Sequence, residues 1–99
     1  MEKDFKYIEL FEIYKNLLTE RQREMFSSHY LYDLSLSEVA EPENMSRQNV
    51  YDTVKKVKLK LVEYENALHL REKFKEIIRV SDSIGDEKLS EKIREITGR

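Results

Sequence analysis

Apolar residues recur along this chain of 99 residues at steps of three and four, the repeat that gathers them on one face of a helix. Between Asp4 and Leu18, Phe5, Ile8, Phe11, Tyr14 and Leu18 share such a face, with Leu10 and Leu17 widening it. Thr19-Glu20-Arg21-Gln22 has the form of a capping box and predicts a second helix. Its Met25, Phe26, His29 and Tyr30 point inward before it ends near Asp33. Ser35 with Glu38 repeats the box and opens a short helix carrying Val39 and the small Ala40. Asn44 tolerates positive φ and suits a turn, with Met45 packed beneath it and Ser46 as the next N-cap. Val50, Val54, Val57, Leu61, Tyr64 and Leu68 then keep the two-per-heptad spacing of a coiled-coil seam. Continued, that seam would run through Arg71 and Lys75, whereas the apolar residues become Leu70, Phe74, Ile77 and Ile78. The change of phase predicts a break between Asn66 and His69, a helix from about Leu70 to Val80, and a last helix from an Asp86 cap to Ile96.

The expected architecture is therefore all-α, with five to six helices in a single domain over residues 1–99. A helix-turn-helix core takes residues 4–68 and a C-terminal helical extension residues 69–99, whose uncovered apolar faces, together with the stripe Leu61, Tyr64 and Leu68, point to a homodimer. Val39, Ala40, Met45, Val50, Val54, Phe11, Tyr14, Phe26 and Tyr30 are expected in the core. Seven of the ten aromatics lie between Phe5 and Tyr32, and packing explains them better than a ligand pocket, since no convergent polar groups accompany them.

Capped helix pairs joined by a short turn also occur in bundles that touch no nucleic acid, so charge has to separate the two readings. Residues 46–60 carry Arg47, Lys55, Lys56, Lys58 and Lys60 against Asp52 alone, a net charge of +4 in a chain whose total is −2. Residues 1–45 are acidic, at −5. A local basic stripe neutralises phosphates even on an acidic protein. The expected nucleic-acid face is Ser46, Arg47, Gln48, Asn49, Tyr51, Asp52, Lys55 and Lys56. Arg47, Gln48 and Asn49 would reach base edges of double-stranded DNA, Ser46, Lys55 and Lys56 its phosphates, and Tyr51 a sugar or a thymine methyl.

Composition narrows the rest. Two glycines and one proline fit long helices rather than a β-rich fold. No cysteine is present, which removes disulfides and thiolate metal sites. No apolar run is long enough to span a bilayer, Met1-Glu2-Lys3-Asp4 has none of the character of a signal peptide, and a cytoplasmic protein without membrane insertion is expected. His29 and His69 stand forty positions apart and are read as lacking an acidic neighbour at metal-site spacing. No metal, cofactor or enzymatic activity is expected, because phosphate loops, nucleophile elbows and paired carboxylates are all missing from the pattern.

Leu17-Leu18-Thr19-Glu20-Arg21-Gln22-Arg23, Asp33-Leu34-Ser35-Leu36-Ser37-Glu38-Val39-Ala40, Met45-Ser46-Arg47-Gln48-Asn49-Val50-Tyr51-Asp52, and Glu63-Tyr64-Glu65 with Leu68-His69-Leu70 together resemble the YlxM family of small bacterial proteins. The likeness covers about residues 5–78, and Ser-Arg-Gln-x-Val-Tyr-Asp is its specific part. More distantly the chain is similar to the DNA-binding end of primary bacterial sigma factors. The resemblance implies a sigma-like helix-turn-helix regulatory protein acting with the signal recognition particle, beside whose protein-subunit gene the family's genes commonly lie. It leaves a rival open: a non-catalytic accessory that binds the particle's RNA or protein. Two positions depart from the motif. Glu43 takes a slot where such motifs bury an apolar residue, and Pro42 falls where the first motif helix should still run, so that helix is expected to stop by Glu41.

Overall fold

The computed structural model describes residues 4–98, so the expectation that Met1, Glu2 and Lys3 open no signal peptide lies outside it. Among the described residues there are six α-helices and no strand. They are α1 (Phe5–Tyr14), α2 (Glu20–Phe26), α3 (Leu36–Ala40), α4 (Arg47–Leu68), α5 (Leu70–Ile84) and α6 (Glu87–Thr97). A 3₁₀ turn, Lys15–Leu17, follows α1, and a π turn, Ser27–Leu31, prolongs α2. The chain divides into two compact units, Met1–Ala67 and Leu68–Arg99. No helix among the described residues is long and apolar enough to cross a membrane.

Local sequence accounts for the helix starts. Asp4 accepts the Lys6 amide and caps α1, and both halves of the Thr19/Gln22 and Ser35/Glu38 capping boxes form. Asp86 caps α6 through the Leu89 amide.

In the first unit the core is built by Leu10, Phe11, Tyr14, Leu18, Met25, Phe26 and Tyr30 against Val39, Ala40, Val50, Val54, Val57 and Leu61. Phe26 lies between two rings, its centroid 4.9 Å from Phe11 on one side and 4.9 Å from Tyr30 on the other. Buried hydroxyls find partners that tie distant segments together. Tyr30 Oη accepts the Asp4 amide at 2.7 Å and donates to the Asp4 carbonyl at 3.1 Å, and Tyr14 Oη donates to Glu65 at 2.7 Å.

Several sequence-derived positions need correction. Phe5 (72% exposed) and Leu17 stay in solvent. The 3₁₀ turn advances the chain by three residues per turn rather than 3.6, which swings Leu17 outward and brings Leu18 in. His29 is only half-buried, because its ring turns to hydrogen-bond the Leu34 carbonyl at 2.7 Å. Met45 is also half-buried, with its sulfur accepting from Arg21 Nη2 at 3.8 Å.

The predicted break falls on one residue. His69 adopts a left-handed conformation, φ 55°, and separates α4 from α5. In the second unit α5 runs four residues beyond the expected Val80, to Ile84, where Gly85 ends it at φ 80°. That conformation is inexpensive only without a Cβ. Arg94 on α6 forks onto Asp82 on α5, with Nη1–Oδ1 at 2.9 Å and Nη2–Oδ2 at 2.6 Å. The guanidinium hydrogen bonds hold the Asp82 carboxyl below its ordinary range. His69 and Glu72 do stand at the His-x-x-Glu spacing that the sequence reading missed, and their side chains lie 3.2 Å apart in solvent.

Candidate nucleic-acid interface

The turn between α3 and α4 is set by Pro42 and Asn44. Pro42 has no amide to continue the α3 ladder, so the helix ends at Ala40 with its cap at Glu41, and the next bonds close tighter turns. The Asn44 amide donates to the Glu41 carbonyl at 3.1 Å and the Met45 amide to the Ala40 carbonyl at 3.1 Å, the two bonds of a Schellman closure. Asn44 takes the left-handed position, φ 51°, as expected of it. Glu43 lies exposed in this turn, not in an apolar slot. With the helix stopped early, the motif has rearranged so that no burial of position 43 is required.

Ser46 then starts α4, its Oγ accepting the Asn49 amide at 3.0 Å. Val50, Val54, Val57 and Leu61 fix the rotation of α4 by entering the core. Their burial turns all eight sequence-predicted residues, Ser46, Arg47, Gln48, Asn49, Tyr51, Asp52, Lys55 and Lys56, to solvent on one segment. Gln48 Nε2 donates to Asp52 Oδ1 at 2.9 Å, which orients the amide and leaves its carbonyl oxygen outward. Thr53 Oγ1 donates to Asn49 Oδ1 at 3.4 Å, leaving the Asn49 amino group outward. Among the described residues no carboxylate lies within ion-pair distance of Arg47, Lys55 or Lys56. Their charge is offered to solvent rather than spent on an internal bridge.

Sequence reasoning missed two neighbours of this face. A pocket of about 180 Å³ is lined by His29 and Tyr30 from the π turn and by Tyr51, Val54, Lys55 and Lys58 from α4. Lys58 Nζ lies 4.7 Å from the Tyr30 ring centroid and 5.3 Å from that of Tyr7. The spacing of Tyr51, Lys55 and Lys58, four then three residues, could have placed them on one face. Nothing in the local pattern could have placed His29 beside them.

A second, larger groove of about 310 Å³ runs between α2 and the α3 turn, with Met25, Val39 and Pro42 beside Glu24, Glu38 and Glu43, three carboxylates against the single cation of Arg21. It carries the opposite charge to the α4 face, and the two surfaces suit different chemistries.

The family model described as "Putative helix-turn-helix protein, YlxM / p13 like" matches residues 1–98. Relatives named UPF0122 protein from Bacillus thuringiensis (strain Al Hakam) and Bacillus mycoides (strain KBAB4) are each 47% identical over 76 residues, covering 77% of this chain and 69% of theirs. A UPF0122 protein of Bacillus cereus (strain 03BB102) matches to the same extent.

Proposed function

We propose, because the chain belongs to the UPF0122 family of YlxM / p13-like helix-turn-helix proteins, that it is a non-catalytic, cytoplasmic regulatory protein that binds double-stranded DNA through α4. The observation that carries this reading is the outward face of Arg47–Lys56, whose cations Arg47, Lys55 and Lys56 have no carboxylate partner among the described residues, on a helix whose rotation the core fixes. Arg47 reads guanine, and Gln48 and Asn49 read adenine. Asp52 holds the Gln48 amide, while Ser46, Lys55 and Lys56 meet phosphates and Tyr51 packs on sugar or a thymine methyl. The regulated process is that of the signal recognition particle. The protein acts as a homodimer through the apolar faces of α5 and α6, without Leu61, which is buried in the core; reading successive major grooves requires its two α4 helices to lie about 34 Å apart, or a multiple of that.

Selection from random duplexes tests the reading. A reproducible motif is expected. Lys55→Ala and Lys56→Ala should weaken binding to every duplex and each lower the salt slope by about one unit, because phosphate contacts release counterions whatever the sequence. Arg47→Ala or Gln48→Ala should relax preference at single base positions, at about 1–3 kcal/mol each. If no motif emerges at low salt, and the lysine changes instead lower affinity for the particle's RNA or protein, the protein is an accessory of the particle and not a DNA regulator.

A further inference from the structure

We propose that the pocket between the π turn and α4 receives one unpaired nucleotide of a bound nucleic acid, with its base against the Tyr51 ring and its phosphate between Lys55 and Lys58. The inference rests on α4 being a nucleic-acid interface, and it changes what that interface selects: a duplex bearing a bulge or unpaired nucleotide over a perfectly paired one.

Lys58 carries the first part of the case. A surface lysine ordinarily extends into water, but this ammonium is drawn onto the Tyr30 and Tyr7 rings, and no carboxylate among the described residues pairs with it. The rings hold the cation without neutralising it. A positive charge fixed at a pocket wall is a preorganised anion site, and Lys55 adds a second ammonium at the same wall.

The aromatic surfaces carry the second part. Tyr30 is engaged on Phe26, with centroids 4.9 Å apart, and under Lys58, so its ring faces are taken. Tyr51 is 50% exposed and lines the same pocket with Val54. It supplies an unoccupied apolar platform beside the two ammoniums. A base within a duplex is stacked on both sides and cannot offer a face to such a platform, whereas an unpaired one can. His29 adds a polar selector. Its Nδ1 donates to the Leu34 carbonyl, which leaves Nε2 as the ring nitrogen free for a polar contact with the nucleotide.

The experiment compares affinities of the full chain for four probes of one sequence: a perfect duplex, the duplex with one bulged nucleotide, the same bulge lacking its base, and an RNA version of the bulge. The bulged duplex should bind about tenfold tighter than the perfect one, within the range that one stacked base supplies. The abasic bulge should lose most of that gain. Tyr51→Leu and Lys58→Gln should each bring the preference to within about twofold. Equal binding of bulged and perfect duplexes would overturn the pocket while leaving the α4 interface standing. So would an abasic bulge as good as the intact one, or a preference that survives both substitutions. Binding to none of the probes would overturn the interface and the pocket together. The RNA arm assigns the sugar: tighter binding than its DNA counterpart identifies a ribose-bearing nucleotide as the occupant, and equal binding a contact confined to base and phosphate.

Discussion

Residues 4–67 and residues 68–98 are both helical and both amphipathic, yet only the first set closes a core. Every fully buried apolar side chain among the described residues falls between Leu10 and Leu61, whereas in the second unit Ser81 alone is buried. Ile84 remains 63% exposed and Ile96 71% exposed. The cause is geometric. Four helices and two tight turns surround a shared interior in the first unit, while two antiparallel helices such as α5 and α6 can cover only one side of each other's apolar stripe. The first unit therefore holds its α4 face on a closed core, whereas the second leaves much of its apolar stripe in solvent.

The contrast is broken most forcefully at Phe26. Phe26→Ala should cost about 3–5 kcal/mol, since the ring is stacked on both faces and a cavity would remain. Denaturant unfolding measures it, and a loss under 1 kcal/mol would mean the first unit is not closed as described. The counterpart in the second unit is the pair Ile84→Glu with Ile96→Glu. It should raise the dissociation constant of a self-associated form by at least tenfold, about 1.4 kcal/mol, and leave the unfolding midpoint of residues 4–67 in place. Sedimentation across concentrations gives the answer. An unchanged association would move the dimer contact away from these helices.

Smaller changes sharpen the same difference. Ser35→Ala removes one half of a formed capping box and should lower stability by about 1 kcal/mol. Glu43→Leu would be rewarded by about 1 kcal/mol in a buried apolar slot. In the exposed turn that Glu43 occupies it should change the midpoint by less than about 0.5 kcal/mol, and a clear gain in calorimetry would restore the buried slot. The least effect is expected from Asp82→Asn. Because Arg94 holds the folded carboxyl below the ordinary aspartate value of 3.8, the bridge contributes above that value and is lost as the pH falls through the lowered one. The wild type and variant should differ barely at neutral pH, as exposed bridges do, and converge in acid. A difference that grows in acid would reverse the assignment.

Much of this molecule follows from the sequence by itself, because its signals are local. The capping pairs Thr19/Gln22 and Ser35/Glu38, the turn residue Asn44, the phase change that falls on His69 and the outward placement of Arg47–Lys56 all arise within a few residues along one helix or turn. Hydrophobic period and cap chemistry act over that range, so reading them needs no knowledge of what packs against what. Three things were decided only by the tertiary structure. Whether Leu17 joined the core depended on how a 3₁₀ turn rotated the chain. Whether position 43 was a buried slot depended on where Pro42 let α3 stop, and which groups stood beside Tyr51 depended on a π turn bringing His29 and Tyr30 to α4. Each is a question of phase or of contact between segments distant in sequence, and a periodic pattern determines which face of a helix is apolar without determining what will meet it.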